Sequence, residues 1–339
     1  MAYDTAALKA SRTFVRSLIA RSVTKGSAEA TTAYAHSRWP WAGPESISKG
    51  AVSSLTSDGN KFAADFLGAV LGRTVLSRLG FRQVPFNVRL ISQTTGAQGY
   101  WVSQASPKPL SKPALVGSTL APLKCAALIC QTQEALRDTS NLVEAGLSAD
   151  LERAVAAAVD LAFLDPANAG IAGETPASIT YAAPSTPATG LTFDALRSDL
   201  STLLSMYGGD IETAALIMAP VSALQIALLA GASSQVDLSA SGGTMFGLPV
   251  ATTSALALDS NGPTIALVDT QAIAYGLEDL DIQTADQTSL TMSDDPESDP
   301  GELVSLWQTN TTAWMAEALA NWEVQRSGAV VMLTGVHYA

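Results

Sequence analysis

Side chains able to do chemistry near neutral pH are scarce in this sequence. Its 339 residues include two histidines, His36 and His337, and two cysteines, Cys125 and Cys130. Histidine is the usual general base and metal ligand near pH 7. Here one stands in a segment rich in Trp and Pro, the other beside Tyr338. The cysteines lie five apart in a predicted strand, so their side chains point to opposite faces. They read as two small buried side chains, not as a disulfide framework. No Gly-rich phosphate loop, HExxH or GxSxG motif occurs. The Asn310-Thr311-Thr312 sequon carries little weight without a secretory signal. These residues predict no metal site, no cofactor and no catalytic centre.

The charge is more informative. The formal net charge is −12, but residues 1–112 hold 14 of the 19 Lys and Arg and only 5 of the 31 Asp and Glu. That segment is therefore basic and the remainder strongly acidic, an arrangement that lets copies of one chain attract each other. Hydrophobic residues make up 47% and charged residues 15%. This excludes a disordered chain and leaves surface to be spent on partners. The most apolar stretch, Ala214 to Ala230, is broken by Pro220 and Gln225. It falls short of the roughly 20 residues a membrane span needs, so no membrane partner is expected.

The elements that would carry these charges follow from periodicity. Residues 4–23 predict a basic amphipathic helix, 24–60 an extended arm anchored by Tyr34, Trp39, Trp41 and Ile47, and 61–79 a short helix. Val84, Phe86, Val88 and Leu90 alternate as a strand. Residues 94–99 form a turn using Gly96 and Gly99, and Tyr100-Trp101-Val102 starts the return. Three prolines at 107–113 make a joint. A strand follows at 120–132, then a helix at 142–164 stopped by Pro166. Thr192 caps a helix ended by Gly208-Gly209, 214–218 is a buried strand, and Pro220 opens a helix closed by Gly231. Strands are expected near 249–253, 263–269 and 272–284, over 304–324 and at 329–333, with an acidic segment at 285–302. A lone hairpin is marginal in water, so the projecting arm and hairpin imply a block that interlocks with its own copies. The other reading of the same pattern is a soluble α/β enzyme with its lobe at 190–285.

Several stretches resemble the major capsid protein of tailed bacteriophages with the Hong Kong 97 fold. They are Thr74 to Gly80 running into Val84-Pro85, Gly99 to Val102 with Ser111-Lys112-Pro113, Leu123 to Asp138, Phe246-Gly247-Leu248-Pro249-Val250, and Arg326 to Val331. The resemblance implies an α+β chain divided into an arm (1–60), a helix into the E-loop (61–80), the E-loop hairpin (81–113), a P domain with spine helix (114–165), an A domain (166–300), a P-domain return strand (301–326) and a closing A-domain strand (327–339). It implies a structural protein, not an enzyme, that assembles as hexamers and pentamers into an icosahedral head. Its partners would be neighbouring capsomers, a portal, separate scaffolding or decoration proteins, and double-stranded DNA held weakly and without sequence preference. Encapsulin-like shell proteins share the fold and stand as the alternative.

Inter-subunit contacts are expected from Arg12, Arg16, Trp39, Trp41, Arg89, Tyr100, Trp101 and Lys108. The family's founding member joins a Lys to a neighbour's Asn with a Glu assisting, and Lys112, Asn310 and Glu317 stand at the matching places. Glu317 is expected in an apolar pocket near Trp314 and Met315. If the charge split drives association, bases of 1–112 will meet acids of a neighbour's 134–323. Raising the salt concentration will then weaken self-association in light scattering.

Overall fold

The structure is a computed structural model. It describes residues 12–13, 16–17, 19–21, 23–24, 27–47, 74–95, 100–104, 107, 114–134, 153, 156–231, 235–256, 262–293 and 301–338. The chain divides into two compact units, one of 1–73, 124–156 and 279–319, the other of 74–123, 157–278 and 320–339.

In the first unit, the described residues of 12–24 are helical, as expected. The extended arm is not borne out over 27–47. Helix α1 spans Ala28–Arg38, and 44–47 form a further helical turn. Alanine is the strongest helix former, and α1 holds four alanines but no apolar stripe, so periodicity alone missed it. The expected helix over 61–73 lies outside the described residues.

The second unit begins at α2 (Val75–Arg78), followed by β1 (Arg82–Gln83), β2 (Arg89–Thr95) and β3 (Ala114–Thr119); β4 (Leu123–Thr132) comes next in the chain and, from residue 124 on, belongs to the first unit. The hairpin differs from its sequence pattern. Its return strand is β3, antiparallel to β2 from Arg89↔Thr119 to Thr95↔Ala114. Residues 100–102 are not strand. Nor are 84–88, because Asn87 takes a left-handed φ of 59° and Pro85 offers no N–H. Two strong strand breakers outweighed the alternation of Val84, Phe86 and Val88.

A helix over 156–164, α3, ends where Pro166 predicted; most of the expected 142–155 lies outside the described residues. Then come β5 (Ser185–Pro187), α4 (Phe193–Met206), β6 (Ala214–Met218), α5 (Pro220–Ala230), β7 (Val236–Ser239), β8 (Gly242–Met245), β9 (Leu248–Thr252) and β10 (Ile265–Asp269). The chain continues through β11 (Ile273–Ala285), β12 (Ser289–Met292), β13 (Glu302–Ser305), β14 (Thr311–Val324) and β15 (Val330–Thr334). A seven-stranded mixed sheet, β5-β15-β10-β6-β9-β8-β7, forms the core of the second unit. Every residue of β6 and β10 is buried, the mark of strands covered on both faces. Leu196, Leu203, Ala223 and Ile226 of α4 and α5 pack on Leu216, Leu267 and Val331. Thr192 accepts the Ala195 N–H at 3.3 Å as the N-cap of α4. Pro220 opens α5, and Gly231, at φ 57°, closes it. Phe246 and Gly247, both at positive φ, make the tight β8–β9 turn.

A four-stranded sheet has the order β1-β11-β14-β4. The last long strand starts at Thr311, not 304. Residues 306–310 turn, with Asn310 in a left-handed conformation at φ 50°, and β12 and β13 pair before them. The cysteines are not buried: β4 is an edge strand, Cys125 is exposed and Cys130 partly so.

The root of the hairpin is held by β11. Arg82 and Gln83 pair in parallel with Ala274 and Tyr275, and the Val84 N–H donates to the Tyr275 carbonyl at 2.9 Å. Phe86 then lays its ring on Gly276, where a Cβ would fall 2.4 Å from the ring carbon Cε1. Gly276→Ala is therefore expected to destabilise the chain by about 1–3 kcal/mol in urea unfolding, with part recovered by adding Phe86→Leu.

Candidate functional site

The hairpin is the first candidate. The Asn87 N–H donates to the Leu120 carbonyl at 3.0 Å and closes its base. Arg89 is exposed but not free-standing: its guanidinium crosses to the partner strand, over Gly117. Beyond the strands, Tyr100, Trp101 and Val102 are 49%, 105% and 38% exposed. Trp101 is thus fully exposed in the single chain. Gly96, Gly99, Lys108 and Lys112 lie outside the described residues.

Behind the hairpin sits a buried carboxylate that sequence reasoning missed. Asp160, on α3, is 4% exposed. Its Oδ1 accepts the Val75 N–H at 3.0 Å and its Oδ2 the Thr253 hydroxyl at 3.1 Å. One side chain thus ties the start of α2, the end of α3 and the segment after β9. On α2, Arg78 donates to the Thr252 carbonyl at 2.6 Å and to the Ser241 carbonyl. Burial pushes the Asp160 carboxyl up to about 6; the Val75 and Thr253 hydrogen bonds and the Arg78 charge pull it down without cancelling that effect. The one available signal was an Asp on the apolar side of a predicted helix, three residues before Phe163.

An open groove of about 600 Å³ lies between the loop 169–179 and the end of β14. Its walls include Leu123, Ile171, Pro176, Ile179, Trp322 and Val324. The loop is built, not loose. The Asn168 amide donates to the carbonyls of Ala162 and Pro176 (2.9 and 3.1 Å), and its oxygen accepts the Gly170 N–H. Ser178 and Thr180 donate to the carbonyls of Asp165 and Leu164 at the end of α3. Trp322 Nε1 donates to the Ala177 carbonyl at 2.7 Å, and its ring meets Phe163 edge-on at 5.2 Å. The sequence of 166–190 shows no helical or strand period, since side-chain to backbone bonds leave no periodic trace.

In the other unit, Trp39 is 2% exposed, edge-on to Tyr34 at 5.7 Å and under the Arg16 guanidinium at 6.0 Å. This corrects the expectation for Trp39, and for Arg16 in part: the indole is spent within its own chain. Trp41 is 65% exposed and Arg12 is exposed, so both stay accessible.

Glu317 and Asn310 each have a partner within the single chain. Glu317 is not in an apolar pocket; both its oxygens receive Lys124 Nζ, at 3.0 and 3.1 Å. The Asn310 amide donates to Glu134, and the Asn310 carbonyl accepts the Gln133 N–H at 2.9 Å. Lys124 lies in the strand expected at 120–132 and Glu134 just after it, and the sequence holds no hint of these long-range pairs.

With this geometry established, the phage capsid family model matches residues 75–335. The chain belongs to the phage capsid family. It is 35% identical over 334 residues to the "Capsid polyprotein" of Pseudomonas phage PAJU2, a match covering 94% of this chain and 48% of that one. The chain thus spans about half the length of that curated relative. Solved structures similar to this capsid-family chain include Gordonia phage Cozz (TM-score 0.53, 16% identity, 77% of this chain and 86% of that one) and Mycobacterium phage Bobi (0.54, 14%, 77% and 90%). A third is described as "Capsid of native GTA particle computed with C5 symmetry" (0.51, 15%, 77% and 90%). At such identities the likeness is one of fold, and the fold is the Hong Kong 97 type. Among the described residues no helix is long and apolar enough to cross a membrane.

Asp160 makes the stability of this capsid-family protein depend on pH. Its folded pKa, about 6, lies above the reference 3.8. The folded chain therefore binds this proton more tightly than the unfolded one. The contribution is full below about pH 4 and is lost as pH rises through 6, up to roughly 3 kcal/mol. Asp160→Asn, which keeps an acceptor for the Val75 N–H, is expected to remove that slope when unfolding of the unassembled chain is compared at pH 4.5 and 7.5. Asp160→Ala should cost about 1–3 kcal/mol at either pH by leaving the Val75 N–H unpaired.

Proposed function

We propose that this chain is the major capsid protein of a tailed double-stranded DNA phage. Copies of it close into hexamers and pentamers and build the icosahedral head, in the cytoplasm of the host bacterium. The family match over 75–335 carries the reading. The fold agrees, and the segment beyond β2 carries a fully exposed indole, Trp101. The arm and the E-loop hairpin reach neighbouring capsomers through Arg12, Trp41, Tyr100, Trp101 and Lys108. The seven-stranded core belongs to the A domain, and α3 with β4 and β14 to the P domain. A portal completes the head, with scaffolding or decoration proteins as further candidate partners. DNA contacts are weak and nonspecific, because a chain at −12 neutralises few phosphates.

The covalent bond implied by the resemblance would join the Lys112 amine to the Asn310 side-chain carbonyl and release ammonia. In this chain it also requires Glu317 to let go of Lys124 and Asn310 to let go of Glu134.

Expressed and purified protein is expected to show closed shells by electron microscopy and to elute far above 35.0 kDa in size-exclusion chromatography. A monomer or small oligomer under every condition would overturn the reading. On a denaturing gel of those shells, a single band near 35.0 kDa would sink the covalent bond alone.

A further inference from the structure

We propose that Trp101 of one copy seats in the groove of a second copy, between its loop 169–179 and the end of its β14. This deepens the shell reading above and rests on it. Three observations point to the pairing. The indole is fully exposed, flanked by two more exposed apolar side chains. Large aromatics bury about 150–250 Å² each and anchor interfaces. The groove, at about 600 Å³, falls in the roughly 300–1,000 Å³ range of clefts that hold a ligand, and its apolar walls suit an indole.

The groove is also pre-formed. Asn168, Ser178, Thr180 and Trp322 hold its loop through hydrogen bonds to backbone. Binding there spends little on ordering the receiving side.

The charges match as well. Residues 81–113 contain Arg82, Arg89, Lys108 and Lys112 and no acid. The groove segments 165–179 and 321–324 contain Asp165, Glu174 and Glu323 and no base. Knob and groove are different patches of one chain, so the contact is head-to-tail and not two-fold symmetric.

The test places one cysteine beside each half of the contact, in a chain carrying Cys125→Ser and Cys130→Ser. Copies with Val102→Cys are mixed with copies with Ala172→Cys, assembled, oxidised and run on a non-reducing gel. A band at twice 35.0 kDa is expected from the mixture and from neither variant alone. Particles that form from the mixture without that band overturn the proposal. Absence of particles from the unsubstituted chain overturns the shell reading, and this proposal with it. Trp101→Ala gives an independent check. Because the side chain is fully exposed in the single chain, the unassembled variant should melt as the parent does. The concentration needed for particles should rise about tenfold. Assembly at the parent's concentration would refute the contact.

Discussion

One buried carboxylate holds together the place from which the hairpin projects. Asp160 receives the Val75 N–H and the Thr253 hydroxyl, so residues 75, 160 and 253 meet at one side chain. Around it, β1 runs in parallel beside β11, Phe86 lies on Gly276, and Arg78 bonds the carbonyls of Thr252 and Ser241. Phe81, Phe163 and Trp322 form an edge-to-face row close by in the fold. A projecting hairpin cannot stabilise itself in water. These contacts tie its root to the rest of the unit.

Polar burial of this kind is costly unless satisfied. Elsewhere in the same unit it is satisfied by many donors. Burial alone would raise Asp269, but N–H groups of Asp210, Gln271 and Ala272 and the Thr213 hydroxyl outweigh it and hold its carboxyl below the ordinary value. Arg326 stands 3.6 Å away as its ion partner. Asp199 accepts the Tyr338 hydroxyl at 2.6 Å, and burial together with that carboxylate drives the phenol upward. Asp160 has only two donors and a more distant Arg78, so burial prevails there. The two carboxylates thus shift in opposite directions, Asp160 up and Asp269 down.

Much of the second unit was legible in the sequence. Apolar runs bounded by Gly and Pro placed β6, α5, β9, β10 and β15, and Thr192 placed the start of α4. What was not legible had specific causes. The alanine-rich α1 lacked a stripe, so its helix left no period. The β2 partner was sought at 100–102, the nearest apolar triplet, whereas pairing chose 114–119 across a long loop. The cysteines looked buried because β4 is apolar, but strand order puts it at a sheet edge. Arg12, Trp41, Tyr100 and Trp101 are as accessible as their types suggested, while Trp39 and Glu317 found partners inside the chain.

Alone, the sequence determined the family, the separation of basic and acidic segments, and most core elements. These depend on local pattern and composition, which are written along the chain. Tertiary structure decided which residues far apart meet: Asp160 with Val75 and Thr253, Glu317 with Lys124, Asn310 with Glu134, Phe86 with Gly276. It also decided that Trp101 stays bare while Trp39 is covered. Burial is a property of what the rest of the chain leaves above a side chain, and no spacing rule contains that.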